Sequence, residues 1–503
     1  MRFLVHSEVN SARIESSLGL PDYSYYFVLK EFLPLLRGLG EVTVVEQVEE
    51  VDALYRQALD KGEQCVFLSF TPPHKTPLDL QCPTIPVFAW EFDSIPNQQW
   101  LEDDRQNWAA VLQRCGRAIT HSGLTVEATH AELGAAFPVV SIPAPVWDKF
   151  ARLREQAAGL PSEPVTLTVR SGVVMDTHDL SLAPYLPNAD AVTRAVASAR
   201  ARELPVAATK PEATEPSAAV RQSLARITLR YLVEWYRLAW RAPLPVVPVA
   251  AEPAPARMEP PNPVEPGGLP DVEVDEEAMP PLPFGEHRLT LSGVVFTAVF
   301  NPYDGRKNWV DMLTAFCSAF RDTPEATLLF KLGHHEYESA MNDMLMCMAR
   351  MPAFQCRVVL LHGYLDRSEF DELIRHTAYI VNASHGEGQC LPLMEFLSCG
   401  KPAVAPRHSA MVDYIDASVA FEVATWLDAT AWPHDPRLAY RTLRHQIDWA
   451  SLVEAYRAAF LCYSQQPERY ARMSAAAMER MRTHCSLEAG RGRLQAFLAA
   501  GAA

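Results

Sequence analysis

Glu387 and Glu395 stand in "SHGEGQCLPLMEFLSCGKPAVAP", residues 384–406, with a Gly-rich turn and a Leu-Pro pair between them. The apolar run "AYIVNAS" before the pair reads as a strand. The run after Pro392 reads as a helix that Gly400 ends. Gly386 and Gly388 let the backbone turn tightly and let a ligand approach closely. The helix start at Leu391 offers free N–H groups and a positive dipole end to a phosphate. Ligands of open α/β sheets lie beyond the carboxyl ends of the strands, where this turn falls. Glu395, about one turn into the helix, is placed to accept hydrogen bonds from a ribose diol. Glu387 lies nearer to whatever is attached beyond the phosphates. The bland alternative is a pair of solvated charges at a helix end.

The stretch resembles the Glu-x7-Glu signature of family 4 retaining glycosyltransferases. Ser384, Glu387, Gly388, Leu391, Pro392, Glu395, Gly400, Pro402 and Ala405 occupy its positions. Two positions depart from the usual pattern: Cys390 replaces the common Gly, and Gln389 the usual Phe or Trp. "VFNPYDGRKNWVDMLTAF" looks like the Arg-Lys-Asn segment of a subgroup of that family, although Pro302 stands where many members carry Arg. Cations fixed beside a departing nucleoside diphosphate stabilise it most in the transition state. Arg306 and Lys307 are the candidates for that role. His385 abuts Glu387 and is a candidate donor contact or a structural histidine. Glu91 and Asp93 in "FAWEFDSIPNQQW" are candidates for the acceptor side, with turn or capping roles as the alternative. Gly19 and Tyr23, in and after the loop that follows the first strand, are expected near the donor phosphates.

The elements that must position these residues alternate. "RFLVHSEV", "EVTVVE", "QCVFLSF" and "IPVFAWEF" read as strands, with helical spacing in "SYYFVLKEFLPLLRGL" and "VDALYRQALDKG". Such alternation implies a parallel sheet covered on both faces. It resumes at about residue 287 through "LTLSGVVFTAVF", "ATLLFKLG" and "RVVLLHGY". The expected division is an acceptor-side domain over 1–150, an insertion over 151–286, a nucleotide-sugar domain over 287–480, and a helix over 481–503 that returns to the first domain. The resemblance implies two Rossmann-like domains facing a cleft, the GT-B arrangement.

The inserted region is rich in Ala and Pro, and "DVEVDEEAMPP" adds acidic residues. Such a composition reads as an extended linker. Within it, residues 217–241 space Val220, Leu224, Ile227, Tyr231, Trp235 and Leu238 at three- and four-residue steps among arginines. That pattern suits a basic amphipathic helix at an anionic lipid surface, or one packed on protein.

The chain has 503 residues and a net charge of -16, which argues against broad nucleic-acid binding. The ten cysteines have no zinc-like spacing and read as free thiols of a cytoplasmic protein. No Asp-x-Asp motif ends a strand of either α/β region, so neither a metal nor a cofactor beyond the nucleotide sugar is expected. The resemblance implies retaining transfer of a sugar from a nucleotide sugar to a glycan or lipid-linked acceptor, in surface polysaccharide synthesis. A GT-B epimerase and a silent scaffold acting through the inserted region are the rivals.

Overall fold

A computed structural model describes residues 1–9, 23–100, 103–156, 165–186, 282–432, 435, 437–439 and 441–500. Gly19 and the segment 217–241 lie outside the described residues, as does all of 187–281.

The first half carries β1 (Arg2–His6), β2 (Glu41–Val44), β3 (Cys65–Phe70), β4 (Thr84–Phe88), β5 (Ala118–Thr120) and β6 (Val139–Ser141). Its helices are α1 (Tyr23–Arg37), α2 (Val51–Asp60), α3 (Trp108–Cys115), α4 (Gly123–Leu133) and α5 (Ala151–Gln156). The six strands form one parallel sheet in the order β2-β1-β3-β4-β5-β6. Every residue of "CVFLSF" in β3 is buried, as a strand covered on both faces requires.

The second half carries β7 (Val165–Asp176), β8 (Phe284–Leu291), β9 (Val294–Phe300), β10 (Ala326–Leu332), β11 (Arg357–His362), β12 (Tyr379–Val381), β13 (Ala403–Pro406) and β14 (Ala420–Val423). Its helices are α6 (Trp309–Ala319), α7 (Glu338–Ala349), α8 (Arg367–His376) and α9 (Leu391–Ser398). The sheet order is β14-β13-β12-β9-β10-β11-β7-β8. From β14 to β11 the strands are parallel, and β7 and β8 add antiparallel at the edge. The parallel part reverses its winding between β9 and β12, which makes a topological switch point there.

Two features depart from the sequence reading. Residues 165–176 fall in the span read as an insertion, yet they form β7 and pair with β11 and β8. The second half therefore starts ahead of residue 287. The alternation in "TLTVRSGVVM" supplied the signal, with Leu167, Val169 and Val173 fully buried. The second feature is an antiparallel ribbon of β15 (Thr425–Ala431) and β16 (Arg441–Ile447), which the sequence reading lacked. Its residues are mostly exposed or half-buried, so no clean apolar alternation marks it.

The chain closes with α10 (Trp449–Gln465), α11 (Pro467–Cys485) and α12 (Leu487–Ala500). The last helix lies on the first half. A Cβ on Gly490 would come within 2.5 Å of Leu35, and the Arg117 guanidinium sits 4.1 Å above the Phe497 ring. One continuous apolar core joins the halves, from Phe32 and Trp90 to Leu393, Met411 and Leu494. The carboxyl ends of the two sheets face each other, since the residues after β4 pack on the turn after β12. This is the GT-B arrangement. None of the described helices is long and apolar enough to cross a membrane.

Candidate active site

The turn after β12 builds the centre of the site. Asn382 begins it, and its Oδ1 accepts the Ser384 N–H. The Glu387 carboxylate is buried and accepts hydrogen bonds from Ser384 Oγ at 2.6 Å and Asn382 Nδ2 at 3.1 Å. Its main-chain N–H donates to Ser409 Oγ at 2.9 Å. Lys307, reached from the loop after β9, places Nζ 2.7 and 2.8 Å from the two carboxylate oxygens. Burial opposes ionisation of Glu387, but Lys307 and Arg306 outweigh it and hold the carboxyl down at about 2. Burial likewise works against the Lys307 ammonium, and Glu387 reverses the effect and raises its pKa.

Arg306 is fixed from both halves of the molecule. Its Nη2 donates to Asp304 Oδ2 at 2.9 Å, and its Nη1 donates to the Gly386 carbonyl at 3.1 Å. The same Nη1 lies 3.1 Å from Glu91 Oε1 of the first half. Asp304 also caps the short turn that carries Arg306 and Lys307, accepting the Arg306 N–H. Tyr23, at the start of α1, lies close enough to Lys307, Asp304, Arg306 and Glu387 to feel their charges, and burial raises its pKa. The start of α1 and the loops after β4, β9 and β12 thus meet at one place.

Strain concentrates there. Among the described residues, four that are not glycine have positive φ, and three of them adjoin Glu387 or Lys307. Asn308 (φ 54) follows Lys307, Cys390 (φ 61) starts α9, and Ser409 (φ 47) accepts from Glu387. A left-handed conformation costs such a residue roughly 1–2 kcal/mol, and strained backbone clusters at functional sites. The position usually filled by Gly is therefore one that favours Gly, and Cys390 adopts its conformation regardless.

Glu395 already has a partner from the first half. It lies in the second turn of α9, and its Oε1 accepts a 2.6 Å bond from Lys149 Nζ. Lys149 comes from the short turn before α5 and also donates to Glu31 Oε1 of α1 at 2.7 Å. Two carboxylates share one ammonium. Burial raises the Glu395 pKa, Lys149 opposes the rise, and Glu31 adds to it. In this arrangement a ribose diol would have to displace Lys149.

The glycines admit a close approach of the first half. Neither Gly386 nor Gly388 has positive φ. A Cβ on Gly388 would lie 3.0 Å from Ala89 Cβ and 3.2 Å from Trp90 N, and one on Gly386 would lie 3.4 Å from Glu91. They let the first half approach the turn. Gln389 completes this docking, since its Oε1 accepts the Ala144 N–H at 2.6 Å. Leu391 opens α9 and packs half-buried on the shared core.

His385 is held on both sides. Its N–H donates to the Arg306 carbonyl at 2.9 Å, and its Nδ1 bonds the His445 carbonyl at 2.8 Å. His445 belongs to β16 and stacks on His408 with ring centroids 4.2 Å apart. Asp93 Oδ1 accepts from Thr442 Oγ1 at 2.9 Å and anchors the ribbon to the first half. Among the described residues one group has ligand atoms close enough for a metal ion: His334, His335 and Glu336, after β10. Two of the three are exposed, and His334 Nδ1 is already engaged by the Glu336 backbone.

Sequence reasoning missed Asp304, Ser409, Lys149 and Glu31. Asp304 carried a local signal, an Asp two residues before the basic pair at a turn. The other three carried none, since each meets the site only through the fold.

The sequence matches no known protein family, and a comparison with curated proteins also finds no match. Solved structures of similar shape include HepE from Anabaena in complex with UDP and glucose. It is 10% identical, with a TM-score of 0.44 over 99% of this chain and 100% of that one. A glycosyltransferase from Rickettsia africae is 8% identical, with a TM-score of 0.48 over 99% and 97%. An α,α-trehalose 6-phosphate synthase from Burkholderia multivorans is 10% identical, with a TM-score of 0.46 over 100% and 99%.

Proposed function

We propose that this chain is a glycosyltransferase that moves a sugar from a nucleotide sugar to a glycan or lipid-linked acceptor, with retention at the anomeric carbon. The observation that carries the reading is the buried Glu387–Lys307 pair at the switch point of a doubly wound sheet, within a signature-like turn. Lys307 and Arg306 would take up the negative charge that gathers on the diphosphate as its bond to the anomeric carbon breaks. Glu387 would hold Lys307 in place and bind the transferred sugar. The acceptor hydroxyl would bond the same face of that carbon and give its proton to the departing phosphate oxygen. No metal is needed in this scheme, because the basic pair supplies the charge.

The test is release of nucleoside diphosphate from UDP-, GDP-, ADP- and dTDP-sugars by purified protein, with Lys307→Met and Glu387→Gln as controls. Turnover lost in both variants supports the reading. A second reading, a silent scaffold, is favoured by one observation: Arg306, Lys307 and Glu395 are each already paired within the protein. That reading expects no thermal stabilisation by any nucleoside diphosphate. A ligand at a hundred times its Kd should add about 2.7 kcal/mol.

The sequence of 217–241 supports a peripheral contact with an anionic membrane surface, consistent with a lipid-linked acceptor. Co-sedimentation with anionic vesicles at low salt tests it, comparing the wild type with an Arg230→Glu, Trp235→Ala, Arg237→Glu variant. Wild-type protein that stays in the supernatant rejects the membrane contact.

A further inference from the structure

The basic pair is compensated, whereas a buried lysine on the neighbouring strand is not. Lys331 is the penultimate residue of β10 and is only 8% exposed. Its Nζ has one hydrogen-bond partner, the carbonyl of Leu332 at 3.2 Å. Among the described residues no carboxylate forms an ion pair with it. A buried ammonium with one neutral partner is costly, since such groups are normally paired or fully hydrogen-bonded. Burial accordingly lowers its pKa to about 8.

Position separates Lys331 from a merely tolerated lysine. Lys401 is equally buried, with a single carbonyl partner, but it precedes β13 at the amino-terminal edge of the sheet. Lys331 stands at the carboxyl edge, paired in register with Val299 of β9 and Leu361 of β11. One strand spacing, about 4.8 Å, separates it from the strand whose loop carries Arg306 and Lys307. In sheets of this winding the phosphates sit at the switch point and the nucleoside extends over the second strand. Counted from β9, that second strand is β10.

We propose that Lys331 is a specificity residue for the donor, binding a ring carbonyl oxygen of its base, so that uracil or guanine nucleotides are preferred to adenine. The inference rests on the proposed glycosyltransferase reading. The ribose diol is the partner that the sequence pattern expects for Glu395, once Lys149 is displaced.

Titration calorimetry with UDP, GDP and ADP tests it in wild type, Lys331→Met and Lys401→Met. Lys331→Met should weaken UDP and GDP roughly ten- to a hundredfold and leave ADP unchanged, while Lys401→Met leaves all three unchanged. An equal loss for all three nucleotides would place the lysine on the shared ribose or phosphates and overturn the base assignment. No loss removes Lys331 from the site. A second arm uses intact wild-type protein, measured at pH 8.5 in two buffers of different ionisation enthalpy. Binding UDP should draw a proton onto Lys331, and Lys331→Met should abolish that uptake. The titratable groups nearby, His362 and His334, have lowered pKa values through burial and stay neutral at that pH. Proton uptake by the wild type that persists undiminished in Lys331→Met would overturn the proposal. Failure of all three nucleotides, and of dTDP, to bind the wild type would reject the glycosyltransferase reading, and this inference with it.

Discussion

Lys307 Nζ lies within 2.8 Å of both carboxylate oxygens of Glu387, and Ser384 and Asn382 hold the same carboxylate from its other side. The pair spans the switch point, with Lys307 after β9 and Glu387 after β12. Glu387 is shielded from water and Lys307 is largely so, and each charge is stabilised chiefly by the other.

The losses from removing each partner should therefore not add. Lys307→Met strands a buried carboxylate and should destabilise by about 3–5 kcal/mol. The Lys307→Met, Glu387→Gln double variant should lose less than the sum of the singles. Urea unfolding of the four proteins checks this, and additive losses would contradict the coupling. In the enzyme reading, neutralising Lys307 should also lower kcat more than it raises KM, and activity should survive EDTA.

In the enzyme reading, Arg306 carries a contact that a substrate would replace. Glu91 of the first half lies 3.1 Å from it, where a diphosphate oxygen would be expected. Glu91→Gln should tighten nucleoside diphosphate binding, since it removes a competing anion without emptying the site. Calorimetry with the best-bound nucleotide reads the change. Weaker binding in the variant would mean that Glu91 contributes to the site rather than competing for it.

Acid should reveal the same buried pair. The Glu387 carboxyl is held down at about 2 in the folded protein and titrates near 4.3 when unfolded. The folded value is depressed, so its stabilisation is complete above about pH 4.5 and lost as pH falls toward 2. The amount at stake is roughly 3 kcal/mol. Thermal unfolding between pH 2.5 and 7 should show a shallower acid decline in Glu387→Gln than in the wild type.

Backbone demands at the turn can be separated by small substitutions. Gly388→Ala would press a Cβ onto Ala89 Cβ and Trp90 N, costing about 1–3 kcal/mol. Adding Ala89→Gly should recover part of that. Cys390→Gly should be close to neutral, because relief of the left-handed strain offsets the added chain entropy. Cys390→Val, which is β-branched, should destabilise clearly. Thermal denaturation orders these variants, and a Cys390→Val protein as stable as the wild type would show that the strain is absent.

Much of the frame was legible in residue order. Buried parallel strands are near-continuous apolar runs, so β1, β3, β10 and β11 could be read directly. Gly400, with φ 73, ends α9 where the sequence placed its end. The turn from Ser384 to Pro392 marked a candidate site, because turn glycines, a helix start and paired carboxylates are encoded within a few neighbouring residues. What only the tertiary structure decided is the partner of each charge. Lys149 meets Glu395 across 246 residues, and Glu91 meets Arg306 only when the two halves dock. It also decided why Gly386 and Gly388 are glycines, since the crowding comes from Ala89, Trp90 and Glu91 of the other half. Local spacing fixes backbone conformation through interactions among near neighbours. Ion pairing and close approach depend on how distant surfaces meet, and the order of residues along one stretch of chain carries no local signal of that.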